Sequence, residues 1–168
     1  DIKQLDVSIR AVISDSTDQT FIANVSTSIK FNTNNELAGF GHSTTVKNDE
    51  ITFVESGNYY VTIEPQYTRT VGGGVDVLNM YLQKSTDGGV TFINVANSNI
   101  KVTISASGET SKTALTQTLT VNAGDRIRCM IQVEDVDLKL DAFVAFGITP
   151  NDVLTTPSVI CNIHRIGD

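Results

Sequence analysis

The chain contains 168 residues, of which 40% are hydrophobic, and its formal net charge is −7. This length suits one domain with a short appendage and is sufficient to bury a core. The negative charge disfavours binding to nucleic acids and anionic membranes, because both require clustered basic residues. No apolar run of about 18 residues is present, so we predict no transmembrane helix. The chain begins with Asp1 rather than Met, which leads us to expect a fragment or a processed product.

Residues 1–15 fit two alternative patterns. One is the heptad seam of a coiled coil, formed by Ile2, Leu5, Ile9 and Val12. The other is a strand with alternating apolar residues, namely Leu5, Val7, Ile9, Ala11 and Ile13. We favour a helix over residues 2–13, because a polar stop follows at residues 14–18. We therefore assign residues 1–20 to the end of a coiled-coil shaft and its linker. Two heptads cannot hold an oligomer alone, so this segment would end a longer coiled coil.

Residues 21–168 are predicted to form one all-β domain. Short runs rich in β-branched and aromatic residues are separated by Gly and Asn turns, without an intervening helical pattern, and this indicates a sandwich or barrel. The predicted strands are Val25–Phe31, Ser43–Val46, Ile51–Phe53, Asn58–Arg69, Val75–Lys84, Val90–Val95, Ile100–Ser105, Ala114–Val121, Asp125–Val133, Ala142–Ile148 and Ser158–Ile166.

The sequence offers little support for catalysis. The two histidines, His42 and His164, are accompanied by no Gly-x-Ser-x-Gly nucleophile motif. A Ser-His-Asp triad can assemble from distant positions, but surface or interface roles explain both histidines more simply. We therefore predict that the protein is not an enzyme. Cys129 and Cys161 lie in strand-like runs, and we expect two reduced, partly buried thiols rather than a disulfide.

The sequence predicts no metal site and no cofactor. The cysteines and histidines lack zinc-ligand spacing. The acidic run Glu134–Asp137, with Asp141 nearby, has oxygen ligands that suit Ca²⁺. A solvated acidic hairpin loop is the simpler interpretation, since the glycine-punctuated spacing of an EF-hand loop is missing.

Four residues are candidate binding residues. Arg126 and Arg128 project from the same face of a predicted strand and are either solvated or located at an interface, where they would bind an acidic group or a small anion. Tyr59 and Tyr67 are candidates either for core packing, which we favour, or for stacking at an axis between subunits.

Two motifs resemble those of the C1q/TNF-like jelly-roll family. The first has the spacing apolar–x5–Gly–x–Tyr–x–apolar and is formed by Ile51, Gly57, Tyr59 and Val61. The second pairs two strands across a Gly–Asp turn and is formed by Leu119, Val121, Gly124, Asp125 and Ile127. The resemblance covers residues 21–168. It departs at Ile51, where the family usually has an aromatic residue. It implies a TNF/C1q-like jelly-roll sandwich.

The resemblance also implies a homotrimer, because domains of this family form threefold trimers at the end of a collagen or coiled-coil stalk. A heptad-like segment followed by a jelly roll is similar to the knobs of bacteriophage tail needles and fibres. The expected partners are then other copies of the chain, phage tail or portal proteins through an upstream shaft, and a component of the host cell surface. No nucleic-acid binding is expected of this domain.

Three functional hypotheses follow. The first is a virion protein, the trimeric knob of a tail needle that plugs the portal, retains DNA and contacts the cell envelope, or the knob of a tail fibre. The second is a secreted or spore-surface C1q-like module that binds a receptor outside the cell. The third is a carbohydrate-processing or sugar-binding module. The absence of Trp counts against the third, because sugar sites usually stack the ligand on aromatic rings.

Overall fold

The computed structural model describes residues 9–71, 75–105, 107–108, 110–144 and 155–168, and the regular structure in these ranges is β-strand. The strands are β1 (Arg10–Asp15), β2 (Gln19–Thr20), β3 (Thr27–Ser28), β4 (Thr33–Ala38), β5 (Phe40–Gly41), β6 (Ile51–Phe53), β7 (Gly57–Arg69), β8 (Asp76–Ser85), β9 (Ile93–Asn94), β10 (Ile100–Ile104), β11 (Thr110–Lys112), β12 (Leu115–Val121), β13 (Arg126–Val133), β14 (Leu138–Leu140), β15 (Phe143–Val144), β16 (Thr155–Thr156) and β17 (Val159–Gly167). No helix that could span a membrane is found in these ranges.

The described strands form two main antiparallel sheets. The first sheet has the order β2-β14-β7-β17-β1-β4, and β11 and β12 also pair with β7. The second has the order β10-β8-β13-β6-β5, and β3 and β9 pair with β13 and β8. β15 and β16 form a separate pair. Most of the pairs join strands that are not consecutive in the chain, as in Greek-key sandwiches.

The core lies between the two sheets, because alternate residues of each long strand are apolar. In β13, Ile127, Cys129, Ile131 and Val133 are buried, whereas Arg126 and Arg128 point outward and are half-buried. The largest fully buried side chains include Phe31, Phe53, Tyr59, Ile63, Leu82 and Ile127. The position of Arg126 and Arg128 on one face agrees with the prediction, whereas Met130 on the same face is buried.

Both motif glycines have positive φ angles, which disfavour any side chain. Gly57 has a φ of +152°, and a Cβ there would lie 2.8 Å from the carbonyl oxygen of Gly167. Gly124 has a φ of +90° in the turn between β12 and β13. Its N–H donates to the Phe53 carbonyl at 2.8 Å, which joins this turn to β6. Each glycine thus lies at the start of a strand or in a turn between two strands, next to another segment of the chain.

The long predicted strands are confirmed to within one residue at each end, as for Asn58–Arg69, which is Gly57–Arg69 in the structure. Ser43–Val46 is wrong as a strand. The Ser43 hydroxyl accepts hydrogen bonds from the N–H groups of Thr45 and Val46, so this segment is a turn. Of Ala142–Ile148, residues 143 and 144 form β15, and residues 145–148 lie outside the described residues.

Two predicted strands are shorter than expected because side chains occupy their backbone groups. Val25–Phe31 is reduced to Thr27–Ser28, and the Gln19 amide bonds both the N–H and the carbonyl of Lys30. Val90–Val95 is reduced to Ile93–Asn94, and the Asp87 carboxylate accepts from the N–H groups of Val90 and Thr91.

The predicted helix is wrong for residues 10–13. These residues belong to β1, which pairs with β17 on one side and with β4 on the other, so they lie inside the first sheet. Ala11 and Ile13 are buried in the core, which agrees with the strand alternative. The remainder of the predicted shaft, residues 1–8, lies outside the described residues.

Cys129 and Cys161 are both free and fully buried, whereas the sequence led us to expect partly buried thiols. Burial raises the pKa of both thiols, because the thiolate loses its hydration. These cysteines are therefore inert packing residues.

Candidate functional site

The side chains of the two candidate tyrosines are buried within one chain. Tyr59 has no exposed surface and contacts the rings of Phe40 and Phe53 at centroid distances of 5.6 and 4.8 Å. Its hydroxyl donates to the Glu55 carbonyl at 3.0 Å. Tyr67 is only 4% exposed. Burial raises the pKa of both hydroxyls. The proposed role in stacking between subunits is corrected for Tyr59, because a side chain enclosed by its own core cannot reach a second chain.

The two candidate arginines interact within their own chain. The Nη1 atom of Arg126 donates to Oε2 of Glu50 at 2.6 Å, and Glu50 is nearly buried. Arg128 donates from Nε to the Gln83 side chain at 2.8 Å, and its guanidinium lies 4.0 Å from the centre of the Phe92 ring. The acidic group that binds Arg126 belongs to its own chain, so it does not test the predicted interface. A role of either arginine in binding an anion or a second subunit remains a prediction.

A half-exposed surface covers the outer face of the first sheet. We call it the first-sheet face; its members, from β1, β7 and β17, are Val12, Tyr60, Thr62, Ile160, Asn162 and His164. The register brings them together: Tyr60 lies opposite His164, and Thr62 lies opposite Asn162. The rings of Tyr60 and His164 are 5.1 Å apart. Charged residues border this group, since Glu64 lies opposite Ile160 and Arg10 lies opposite His164. A tyrosine among apolar and uncharged polar side chains, with charged residues at the rim, is typical of a protein interface.

Tyr60 was not predicted as a site residue, although the sequence contains a signal for it. Alternation along β7 places Tyr59 inward and Tyr60 outward. A large aromatic side chain on an outward position beside threonines indicates a surface that contacts more than solvent. The cross-strand contact with His164 could not be inferred, because it joins positions 104 residues apart along the chain (164 minus 60).

An apolar cleft of about 550 Å³ lies beside the edge strand β12. Ile93, Val95 and Leu119 form its apolar surface, and Ile93 is 70% exposed. The Nζ atom of Lys84 lies at the rim, where it contacts Asp125 and the Thr120 carbonyl at 2.8 and 2.9 Å. Among the described strands β12 pairs only with β7, so its other edge is unpaired beside the cleft.

Both histidines make contacts within the chain, His164 with the Tyr60 ring and His42 with two chain segments. The ring nitrogens of His42 contact the Asn34 side chain at 2.6 Å and the Asn48 carbonyl at 3.1 Å, so the ring fixes the segment after β5 to β4. Burial lowers the pKa of His42. Within the described ranges, no group of three or more His, Cys, Asp or Glu side chains could hold a metal ion. Asp141, one of the calcium candidates, instead contacts Lys139 at 2.7 Å and Thr68 at 2.9 Å.

The turn after β8 is closed by one carboxylate, and its pH dependence can be predicted. Hydrogen bonds from the Thr91 N–H and the Ser85 hydroxyl lower the pKa of Asp87 to about 2. Because the pKa is lowered in the folded chain, the stabilisation is complete above pH 3.8, the ordinary value, and is lost as the pH falls through about 2. We expect amide hydrogen exchange at Val90 and Thr91 to accelerate in that range. Asp87→Ala, which removes the acceptor, should show fast exchange already at neutral pH; unchanged protection in this variant would contradict the assignment.

No family model matches the sequence, and no curated protein matches it. Solved structures do match. Murine APRIL at pH 8.0 superposes with a TM-score of 0.57 and 10% identity, covering 95% of this chain and 98% of that chain. Eiger TNF from S. frugiperda superposes with a TM-score of 0.58 and 11% identity, covering 96% and 94%. The fold is a TNF-like jelly roll. Murine APRIL at pH 5.0 gives a similar match, with a TM-score of 0.57 and 8% identity over 95% and 99% of the two chains.

The predicted TNF/C1q-like jelly roll is therefore confirmed as the fold. At such low identity the likeness concerns the fold alone. The trimer, the bacteriophage role and the absence of enzymatic activity remain predictions.

Proposed function

We propose that the chain is a non-enzymatic recognition module that works as a homotrimer. The observation that carries this proposal is the first-sheet face, where Tyr60, His164 and Ile160 are grouped, with the charged residues Glu64 and Arg10 at its rim. The apolar cleft beside β12, which Lys84 and Asp87 also line, is a second candidate contact surface. A threefold arrangement needs two different surfaces that meet, since each copy contacts one neighbour on either side.

The specific role that we propose is the knob of a bacteriophage tail needle or tail fibre, located in the virion. Its support is the resemblance carried by the motifs at Gly57 and Gly124. The heptad-like spacing of residues 2–12 does not add to this support, because Val12 lies in β1. Three copies of one recognition surface would strengthen weak contacts with a host cell surface. The alternative is an extracellular C1q-like module, on a secreted protein or a spore surface, that binds a receptor. Labelling of purified virions with an antibody against this chain tests the first role, and unlabelled virions would contradict it.

Tyr60→Glu is expected to dissociate the trimer. The substitution places a carboxylate in the centre of the first-sheet face, where contact with a second copy would remove its hydration. We expect the dissociation constant of the trimer to rise by at least about tenfold, which corresponds to about 1.4 kcal/mol. Analytical ultracentrifugation at micromolar concentration measures this change, from three times the chain mass of 18.1 kDa towards a single chain.

Tyr81→Glu is the matched control. Tyr81 is also a half-buried tyrosine on an outward position, but it lies in β8 of the second sheet. We expect Tyr81→Glu to leave the trimer intact. A monomeric wild-type chain would overturn the trimer proposal, and a trimer that is equally stable in both variants would place the interface elsewhere.

A further inference from the structure

A row of polar side chains crosses the outer face of the second sheet. Lys101 in β10 lies opposite Asn79 in β8, and Asn79 lies opposite Gln132 in β13. Residues opposite each other in antiparallel strands are about 4.5–5.5 Å apart, so these three side chains are neighbours. Asn24 extends the row, because its carbonyl accepts a hydrogen bond of 3.0 Å from Nε2 of Gln132.

These side chains surround a cavity of about 220 Å³ with Val77, Val133 and Glu134. Val77 is half-buried and supplies apolar surface, whereas the side chain of Val133 is buried in the core. Lys101 and Glu134 add one positive and one negative charge to the lining. Within the described part of the chain, the side chains of Asn24, Asn79, Lys101 and Glu134 make no hydrogen bond or ion pair. Their donors and acceptors are therefore available to a ligand.

The chemistry of this cavity suits hydroxyl groups. A carboxamide both donates and accepts, as a hydroxyl does, and the cavity is lined by the three carboxamides of Asn24, Asn79 and Gln132. The Lys101 ammonium and the Glu134 carboxylate can each form a charge-assisted hydrogen bond with a hydroxyl. Their opposite charges cancel, which suits an uncharged ligand. A single lysine does not match a phosphate backbone. A single carboxylate does not match the oxygen-ligand set of Ca²⁺.

We propose that this cavity binds one ring of an uncharged saccharide. The apolar surface of Val77 would contact a face of the ring, and the carboxamides of Asn79 and Gln132 would bind adjacent hydroxyls. Because no aromatic platform lines the cavity, the affinity of one site is expected to be weak, with a dissociation constant on the order of 1 mM. The proposal concerns a single chain, so it holds or fails independently of the trimer.

The test is a titration of the isotope-labelled chain, followed by NMR, with methyl glycosides of glucose, galactose, mannose and N-acetylglucosamine. We expect at least one glycoside to shift the Val77 methyl signals and the Asn79 and Gln132 side-chain amide signals in a saturable manner. Glutamate and glycine are titrated separately as control ligands, the first with a net charge and the second as a zwitterion without one. Shifts caused by these amino acids but by no glycoside would overturn the saccharide assignment, as would shifts confined to another surface or the absence of any shift at millimolar concentration.

Three variants locate the site. Asn79→Ala and Lys101→Ala should each weaken glycoside binding at least about fivefold, because each removes a hydrogen-bonding group from the cavity. Asn122→Ala removes an exposed carboxamide from the turn between β12 and β13 and should bind as the wild type does. Lys101 is exposed, so its replacement does not endanger folding. Wild-type affinity in both cavity variants would overturn the proposal.

Discussion

Tyr59→Ala is expected to lower the free energy of unfolding by about 3–5 kcal/mol, because it removes a fully buried aromatic side chain and leaves a cavity. The loss includes ring contacts with Phe40 and Phe53, which link β5, β6 and β7 in two different sheets. Domains of this kind are stable by about 5–15 kcal/mol in total, so a substantial part of the stability depends on this one side chain. Urea denaturation followed by fluorescence measures the change.

Two control variants distinguish the effect of losing the ring from the effect of losing its hydroxyl, and the inward face of β7 from its outward face. Tyr59→Phe keeps the ring and removes only the hydrogen bond to the Glu55 carbonyl, so we expect a loss of about 1 kcal/mol. Tyr60→Ala alters the adjacent residue on the opposite face and should change the stability of the single chain little. Each curve should be repeated at several concentrations, since a trimer becomes more stable as concentration rises. Equal effects of Tyr59→Ala and Tyr60→Ala would contradict the assigned faces of β7.

The parts of the fold that were predictable are those with a local signal. Alternation of apolar residues gave β7, β8, β13 and β17 to within one residue, since one buried face per sheet imposes a period of two. The glycines at 57 and 124 were also informative, because their positive φ angles are requirements of the local backbone.

Other elements lacked such a signal. β4 reads Thr-Asn-Asn-Glu-Leu-Ala, a polar sequence whose strand conformation depends on pairing with β1. β1 itself fits a helix and a strand equally well by periodicity, and its two partners in the sheet decide the outcome. Tertiary pairing of this kind overrides local preference.

The contacts of the candidate site residues were predictable only in part. The alternation of β13 indicated that Arg126 projects from the sheet, but its partner Glu50 lies 76 residues away in the chain. The saccharide cavity likewise combines Asn24, Asn79, Lys101 and Gln132, which come from four separate segments. Only the pairing register of β10, β8 and β13 shows that these polar residues are neighbours in the fold.

Asp76→Ala is expected to destabilise the fold by about 3–5 kcal/mol, because it removes one member of a buried ion pair. Oδ2 of Asp76 lies 2.6 Å from Nε of Arg69, and the two side chains are 8% and 3% exposed. The pair joins the end of β7 to the start of β8. Removing the carboxylate leaves the Arg69 charge buried without the compensation of Asp76, and hydration cannot replace it. Urea denaturation measures the loss.

The exposed pair Arg10–Glu36 is the matched control for this prediction. Its N–O distance is the same 2.6 Å, but its side chains are 53% and 39% exposed. Glu36→Ala should therefore change the unfolding free energy by only about 0–1 kcal/mol, because water screens an exposed pair. Similar losses in Glu36→Ala and Asp76→Ala would show that distance rather than burial determines the effect.

The double variant Arg69→Met/Asp76→Leu distinguishes the attraction within the buried pair from the cost of burying its charges. If the loss in Asp76→Ala arises mainly from burying the Arg69 charge without Asp76, replacing both residues by apolar ones should restore most of the stability. If the pair itself provides net stabilisation, the double variant should remain as unstable as the single one. We expect recovery, since two buried charges lose their hydration on folding and their mutual attraction does little more than offset that cost. The ion pair would then fix the geometry between β7 and β8 more than it stabilises the fold.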